Sequence, residues 1–553
     1  MEWPFTTICY LTLQQTDKGG VMDRRMRIES EKDPRKTFLR PFTSRKLLLL
    51  NAILSVAYLL ILILGFVPSN KVLFYILIFG ELFHVYQILG YELTLYAKPK
   101  FHNLDRTFKP LVNVFITVCG EPIDIVRNTA LAARDMKYPN LKVYILNDGY
   151  VANKKNWRKI EKMAGDIGIE CITRRKAGGA KAGNINNALA EVSQGDFFAV
   201  FDADHIPHDD FLIKTVGYFA DENIGFVQTP QYYRNFSKNS ITETAWSQQA
   251  LFFGPIMRGK SNFNSAFMCG TNMVIRKKAI IEAGGMCEYN IAEDFLTSLF
   301  IHKRGYNSIY IPEVLAEGLA PEDFMSYYKQ QFRWARGSLE VIFKYNPLFL
   351  RGLKFRQRIQ YLVSASYFLT GLITIFDLSL PLIFLFFGIV PVVNSSMTLA
   401  IIFLPYIFMT LMILQLSSNF SITYNTLAYG ISSFYIQLSA IFGVIFNRKA
   451  SFSVTSKTAL SGNFSRLVWP QIMYISLSFA GLIYGYLKYG FGASYMANAT
   501  WIILNSAVFY PFIKAALGPS PLRKSLARLK TRNSDISASD KEFGLKEAGE
   551  TSS

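Results

Sequence analysis

The stretch DFFAVFDADH, residues 196–205, places an apolar run directly before two acids. Residues 196–201 have the length and the aromatic content of a buried strand. Asp202 and Asp204 stand two positions apart, and such carboxylates can share a hard cation, Mg²⁺ or Mn²⁺, with substrate phosphates. The motif taken alone still favours the alternative interpretation, a turn with two solvated acids.

Strands of the same kind precede this stretch. The sequence predicts strands over residues 112–118 and 142–146 and a helix over 124–136. Strands that alternate with helices indicate an α/β domain with a parallel sheet and helices on both faces. Ligands of such sheets bind at the carboxyl ends of the strands. The acids at these ends are Asp148, Asp202 and Asp204.

Apolar runs surround this region, which extends over residues 106–346. Two runs precede it, 47–67 and 72–96; the later ones are 359–376, 378–393, 399–416, 429–446, 468–487 and 494–517. Runs of about 20 apolar residues are typical of transmembrane helices. Residues 359–376 and 429–446 could instead lie in the interface as amphipathic helices. The sequence therefore allows between six and eight spans.

Charge indicates the side of the membrane. The chain has 553 residues, half of them hydrophobic, and a net charge of +19. Basic residues cluster in segments 23–46 and 523–532, which is typical of cytoplasmic membrane flanks that contact anionic lipids. An even number of spans would put both basic ends and the soluble region in the cytosol. Nucleic-acid binding is not expected, because that charge would form a stripe on a soluble fold.

Three segments remain to be placed. Residues 1–46 are predicted to be a basic cytosolic segment, in which Met22 or Met26 could be the true start. Residues 347–517 would hold the later interfacial and transmembrane helices, which form the polymer channel, and residues 518–553 are predicted to be a disordered tail.

The five cysteines are scattered without a CxxC pair, so neither a disulfide framework nor a zinc site is expected.

Four further motifs could carry chemistry, and each has a plainer interpretation. Asp148 in LNDG, residues 146–149, could accept a hydrogen bond from a nucleobase or simply form a turn. The glycine-rich basic stretch 176–189 could bind a pyrophosphate or be a flexible loop. Glu293 and Asp294 could include a general base or cap a helix. In QQFRW, residues 330–334, the Arg could bind phosphate and the Trp could stack on a sugar, or the segment could be an interfacial helix.

Together these stretches resemble the processive family 2 glycosyltransferases, most closely bacterial cellulose synthase catalytic subunits. The resemblance runs from about residue 112 to 457 and rests on segments 201–235, 267–276 (FMCGTNMVIR), 292–331, 333–337 (RWARG) and 452–457 (FSVTSK). The last matches the FxVTxK gating loop of cellulose synthases. The resemblance implies a GT-A-type glycosyltransferase domain inserted between transmembrane helices, with a gating loop over residues 448–465.

The resemblance also implies site residues. Those for the UDP-sugar are Thr117, Cys119, Glu121, Asp148, Lys181, Gln330 and Arg333. The metal ligands are Asp202 and Asp204, and the general base is Asp294 with Glu293 beside it. Around the acceptor sugar the implied residues are Trp334, Cys269, Gly270 and Thr271. The implied lid residues are Phe452, Val454, Thr455 and Lys457.

The function implied by the resemblance is inverting polymerisation of a β-1,4-glucan from UDP-glucose, with export through the plasma (inner) membrane. Mg²⁺ or Mn²⁺ would be the cofactor, and the partners would be the UDP-sugar, the growing polysaccharide, membrane lipids and an accessory secretion subunit. Curdlan, mixed-linkage glucan, hyaluronan or chitin remain alternative products. A transporter with a non-catalytic nucleotide-binding domain is the alternative from another class. Three positions depart from the family pattern: Cys119, Asn147 and Ala292.

Overall fold

A computed structural model of the chain describes residues 44–394, 396–448 and 462–518. It begins with two apolar helices, α1 (Arg45–Gly65) and α2 (Lys71–Tyr96). Asn70 caps α2 by accepting a hydrogen bond from the Leu73 backbone N–H at 3.0 Å, which satisfies one of the donors that every helix start leaves open.

A mixed α/β domain follows. Its strands are β1 (Val112–Val118), β2 (Leu141–Asn147), β3 (Glu170–Thr173), β4 (Phe197–Asp202), β5 (Ile206–Pro207), β6 (Ile224–Gln228), β7 (Tyr232–Tyr233), β8 (Met273–Arg276), β9 (Asn307–Tyr310) and β10 (Ala316–Gly318). Its helices are α3 (Ile123–Arg134), α4 (Trp157–Asp166), α5 (Ala180–Glu191), α6 (Phe211–Thr215), α7 (Ser240–Leu251), α8 (Met257–Asn262), α9 (Lys277–Ala283), α10 (Glu293–Lys303) and α11 (Phe324–Glu340).

The main sheet has seven strands in the order β3-β2-β1-β4-β8-β6-β9. All neighbours pair in parallel except β8, which is antiparallel to both β4 and β6. The expectation of a wholly parallel sheet is therefore wrong at β8. Gln228 at the end of β6 pairs with Met273 at the start of β8, so the chain re-enters the sheet at the end it left.

The core lies on both faces of this sheet. Every residue of β1 is buried; Val114 and Ile116 pack into one hydrophobic cluster, whereas Phe115 packs into the cluster on the other face. This alternation is the period-two geometry of a strand covered on both sides. A small second sheet, β5-β10-β7, holds the segments that follow β4 and β6.

The remaining helices are α12 (Phe355–Ser366), α13 (Thr370–Phe387), α14 (Ser396–Ser417), α15 (Tyr424–Ser432), α16 (Phe434–Ile445), α17 (Trp469–Tyr489) and α18 (Ala493–Leu517). Within the described parts of the chain, six helical segments are long and apolar enough to cross a membrane. They are Arg45–Gly65, Lys71–Tyr96, Phe355–Phe387, Met397–Ser417, Tyr424–Ile445 and Ala493–Leu517.

These segments differ from the predicted runs in three respects. The runs 359–376 and 378–393 were expected as separate helices, but Phe355–Phe387 is one helical segment, because Tyr367–Leu369 tightens to a 3₁₀ turn without breaking it. Residues 429–446, predicted as one run that either spans the membrane or lies in its interface, fall in the segment Tyr424–Ile445, which a turn at Ser433 divides into α15 and α16. The run 468–487 forms α17 and is not one of the six segments.

Two contacts fasten the α/β domain to the apolar helices. Lys260 of α8 is buried and donates to the backbone carbonyl of Gln360 in α12 at 2.7 Å. The Gln360 side chain also accepts from Thr94 of α2 at 2.9 Å. On the other side, Ala335 and Leu339 of α11 pack in one cluster with residues of α16.

Candidate active site

The segment Asp202-Ala203-Asp204, called the DxD segment below, lies at the carboxyl end of β4. Asp202 is the last residue of the strand, and its backbone N–H donates to the Thr271 hydroxyl at 3.0 Å. Asp204 is fully buried and accepts from the backbone N–H of Leu319 at 3.1 Å. The two carboxylates are therefore fixed by neighbouring segments, with about a third of the Asp202 side chain exposed (37%).

Lys181 stands in the first turn of α5, opposite Asp202. Its Nζ forms an ion pair with the Asp202 carboxylate and donates to the Gly270 carbonyl at 2.6 Å. Burial works against the charge, but Asp202 and Glu293 hold the pKa of Lys181 above its ordinary value. In the same way, burial opposes and Lys181 favours ionisation of Asp202, whose pKa is lowered. Both groups are therefore charged at neutral pH.

Asp148 follows β2 and is held by an arginine that the sequence did not single out. Arg174 donates to both Asp148 carboxylate oxygens, at 2.8 Å and 2.7 Å, and both side chains are almost completely buried. This fork geometry is the strong form of an Arg–carboxylate pair. Burial raises the pKa of Asp148 and Arg174 acts against that rise. The predicted nucleobase acceptor is thus already engaged within the protein.

The end of β1 supplies the next part of the wall. The Thr117 hydroxyl lies 3.3 Å from an Asp202 carboxylate oxygen. The Glu121 carboxylate accepts from the backbone N–H of Cys119 at 2.6 Å. Burial raises the pKa of the Cys119 thiol to about 11, so this thiol is neutral and serves as a small, weakly polar surface.

Glu293 and Asp294 are the first two residues of α10. The Asp294 carboxylate accepts from the backbone N–H of Phe295 at 2.7 Å, and the Ser298 hydroxyl donates to the Asp294 carbonyl at 2.7 Å. Burial, followed by repulsion from Glu293, raises the pKa of Asp294 to about 7. A carboxylate with that pKa can accept a proton near neutral pH.

Gly270 brings backbone against Asp294. Its φ is +83°, and an added Cβ would lie 3.2 Å from an Asp294 carboxylate oxygen. The conformation and the space both favour glycine here. Next to it, the Cys269 carbonyl accepts from the Gln231 side chain at 2.5 Å, and burial raises the pKa of the Cys269 thiol.

Helix α11 presents Gln330, Arg333 and Trp334 toward the same place, because positions i, i+3 and i+4 share one helix face. The Gln330 amide lies 3.5 Å from the Tyr233 hydroxyl. Asp323 caps the helix by accepting from the Ser326 backbone N–H at 2.9 Å. Gly337, one turn beyond Arg333, packs against Ala292 just before α10.

These segments enclose one cleft with a volume of about 650 Å³. The predicted residues that line it are Thr117, Cys119, Glu121, Asp148, Lys181, Asp202, Asp204, Cys269, Gly270, Glu293, Asp294, Gln330, Arg333 and Trp334. Thr271 does not line it; the residue is fully buried behind Asp202. The predicted lid residues Phe452, Val454, Thr455 and Lys457 lie outside the described residues.

The acids at the cleft suit a divalent cation. Asp202 and Asp204 offer carboxylate oxygens on one wall, and oxygen is the ligand that Mg²⁺ and Mn²⁺ prefer. No cluster of three or more His, Cys, Asp or Glu side chains in the described residues could hold a metal ion by itself. Phosphate and water oxygens would have to complete the shell, which is the usual arrangement for Mg²⁺.

Several lining residues were not predicted. Among them are Lys154, Arg174, His205, Gln231 and Tyr233. The segment 201–235 contained three of them, and its likeness to the family was the only signal. Nothing in the sequence pointed to Arg174, because a basic residue after a strand is expected to be exposed at the surface until its carboxylate partner is known.

Two family models match the chain. Residues 110–337 match "Glycosyltransferase like family 2", and residues 282–518 match "Cellulose synthase". The two matches overlap across α10 and α11, which carry Asp294 and Trp334.

Curated relatives agree with these models. The cellulose synthase catalytic subunit [UDP-forming] of Pseudomonas fluorescens (strain SBW25) is 31% identical over 413 residues, 72% of this chain and 55% of the relative. The protein of the same name from Xanthomonas axonopodis pv. citri (strain 306) is 36% identical over 318 residues, 56% of this chain and 42% of the relative. The chain thus spans about half the length of the curated relatives it matches.

Among solved structures, a mannosyltransferase from Pyrobaculum calidifontis, in complex with GDP-Man and Mn²⁺, covers 68% of this chain and 100% of its own. Its TM-score is 0.48 at 16% identity.

Proposed function

This chain carries a family 2 glycosyltransferase domain that runs into a cellulose synthase domain, and on that premise we propose that it is a processive, inverting glycosyltransferase. It would polymerise a β-linked glucan, β-1,4-linked as in cellulose, from UDP-glucose. The observation that supports this proposal most strongly is a single cleft whose lining includes the six predicted residues that the proposed reaction uses. They are Asp294, Lys181, Arg333, Asp202, Asp204 and Trp334.

Asp294 acts as the general base. It takes the proton from the 4-hydroxyl of the acceptor sugar while that oxygen attacks C1 of the donor. The bond between C1 and the UDP oxygen breaks on the opposite face, and its electron pair leaves with the diphosphate. Inversion of an α-linked donor gives a β-linkage. General-base catalysis typically contributes about 10²- to 10⁴-fold in rate.

Lys181 and Arg333 stabilise the charge that develops on the departing diphosphate. Asp202 aligns Lys181 through their ion pair. Asp202 and Asp204 would hold Mg²⁺ or Mn²⁺, which neutralises phosphate charge when bound. Trp334 offers its ring face to the acceptor sugar.

The product remains bound and passes into the apolar helices. We place the catalytic domain in the cytosol and the helices in the plasma (inner) membrane, as basic flanks indicate for this class of protein. An accessory secretion subunit would receive the polymer on the far side. Sugar hydroxyls crossing a dry layer need hydrogen-bond partners along the way.

The test is UDP release by the purified full-length chain with UDP-glucose, UDP-GlcNAc and UDP-GlcA as separate donors. We expect release from UDP-glucose and a product that β-1,4-glucanase degrades. Release from another donor, or resistance to that enzyme, would redirect the proposal to another β-polysaccharide.

The role of Asp294 as the general base is tested with the variant Asp294→Asn. We expect it to lower the rate of UDP release by about 10²- to 10⁴-fold without changing thermal stability. Asp166→Asn is the control, because Asp166 is an exposed acid at the end of α4. Full activity of Asp294→Asn would refute the assignment of Asp294 as the general base. No UDP release from any of the three donors by the unmodified chain would favour the transporter alternative.

A further inference from the structure

A second hollow adjoins the cleft at the end of β2. Its volume is about 510 Å³, and its lining residues are Tyr150, Val151, Asn153, Lys154, Lys155, Trp157, Arg175 and Ala177. We call it the side pocket. Val151 and Lys154 line both spaces, so the side pocket is separate in most of its lining but shares one wall with the donor cleft.

An aromatic corner forms one side of the side pocket. The rings of Tyr150 and Trp157 meet edge to face at 5.2 Å and 82°. The Arg175 guanidinium lies 4.7 Å from the centre of the Tyr150 ring and 5.0 Å from that of Trp157. A flat cation stacked on rings offers its outer face to another flat group.

This corner is fixed in place by the end of β2. The Asn147 side chain donates to the backbone carbonyl of Trp157 at 2.9 Å. Gly149 packs so closely that an added Cβ would lie 2.7 Å from the Trp157 Cβ. The rings therefore need no rearrangement to accept a ligand, which lowers the entropic cost of binding.

Positive charge is in excess around the side pocket. Lys154, Lys155 and Arg175 line it, and Arg158 stacks on the same Trp157 ring at 5.0 Å. Arg175 has Glu161 at 3.7 Å, whereas no salt bridge within the described part of the chain reaches Lys154, Lys155 or Arg158. Four cations face one carboxylate, and a bound anion would relieve their mutual repulsion.

We propose that the side pocket binds a purine nucleotide other than the glycosyl donor, because a two-ring base covers the Arg175 guanidinium more fully than a pyrimidine does. Its base stacks on the outer face of the Arg175 guanidinium, which the two rings support from behind, and its phosphates bind Lys154 and Lys155. Base stacking on such platforms contributes about tenfold or more to affinity. Since the Lys154 side chain also packs on Gly120 beside the donor cleft, the bound nucleotide lies next to the donor.

The test uses the full-length chain in lipid nanodiscs with excess UDP and Mg²⁺ present. Fluorescent ATP and GTP analogues are titrated, and binding is followed by energy transfer from tryptophan. We expect binding that persists with UDP bound. Arg175→Gln and Lys155→Gln should each weaken it about tenfold, the loss typical of one charge-assisted contact.

Lys162→Gln is the matched control, since Lys162 is an exposed cation on α4, the helix that begins at Trp157, and lies outside the lining. The affinity of this variant should equal that of the unmodified chain. Displacement of the analogues by UDP would overturn the proposal by making the pocket part of the donor site. Equal affinity for inorganic pyrophosphate would leave only an anion-binding patch. No binding by either analogue would refute the proposal outright.

Discussion

The Asp294 carboxylate has a neighbour of like charge, Glu293, and a neighbouring cation, Lys181. Burial and Glu293 raise its pKa, and Lys181 offsets only part of that rise. A base of this kind loses its function when it is protonated. With Asp294 as the proposed general base, the pH range of the reaction is set by two adjacent residues at the start of α10.

We expect kcat/KM for the UDP-sugar to fall as the pH drops through about 7, because Asp294 then becomes protonated. Glu293→Gln removes the repulsion and should move this acid limb to lower pH. Initial rates of UDP release between pH 5 and 9 measure both profiles, with buffer ionic strength held constant. An unchanged limb in Glu293→Gln would contradict the assigned cause.

At the scale of elements, the contact between α10 and α11 sets where Asp294 lies relative to Arg333 and Trp334. Gly337 of α11 lies so close to the turn before α10 that a Cβ would be 2.3 Å from the Ala292 Cβ. Asn290 donates to the Gly337 carbonyl at 3.3 Å across the same contact. The spacing between Asp294 and the Arg333–Trp334 pair depends on this packing.

Gly337→Ala should separate the helices and lower UDP release at least tenfold, at a stability cost of about 1–3 kcal/mol for an overpacked contact. Thermal unfolding and UDP release are measured together. Gly430→Ala is the control, because Gly430 also lies in a helix and an added Cβ there meets no atom within 4 Å. Equal behaviour of the two variants would show that the helix contact is not limiting.

The elements near the DxD segment were predictable, since periods of two and 3.6 residues and an acid after a buried strand are local signals. The sequence predicts strands over 112–118 and 142–146, and the structure has Val112–Val118 and Leu141–Asn147. The direction of β8 and the Asp148–Arg174 pair were not predictable, because both depend on contacts between distant segments. The resemblance, not periodicity, identified Trp334 and Asp294 as members of one cleft.

At the scale of the whole molecule, the buried Lys260 joins the α/β domain to α2 and α12. Burial lowers its pKa to about 7. The unfolded chain therefore binds a proton that the folded chain lacks between about pH 7 and the ordinary lysine pKa. The contribution of Lys260 to the free energy of unfolding therefore rises with pH across that window and is lowest below pH 7.

We expect the melting temperature of the unmodified chain to rise from pH 7 to pH 9 relative to that of Lys260→Met, which cannot titrate. The difference corresponds to at most about 1.4 kcal/mol per pH unit. Thermal unfolding in nanodiscs at several pH values measures it. Parallel pH dependences of the two proteins would contradict the role given to Lys260.

The number of membrane segments was harder to predict than the domain between them. Hydropathy divided the segment Phe355–Phe387 into two runs and gave no sign of the turn at Ser433 within Tyr424–Ile445. Polar residues within a helix and a turn between helices look alike in a local average. The basic segments 23–46 and 523–532, by contrast, can be recognised from the sequence without any knowledge of how the helices pack.

Helix α11 has one further consequence. Its first turn touches α18 through Phe324 and Phe512, 4.8 Å apart, and its middle carries the Arg333–Trp334 pair. A helix transmits displacement along its length, so a shift of α18 in the surrounding lipid would be passed through this contact to the proposed sugar-binding groups. We therefore expect the turnover of the proposed enzyme to change with the composition of the bilayer that surrounds it.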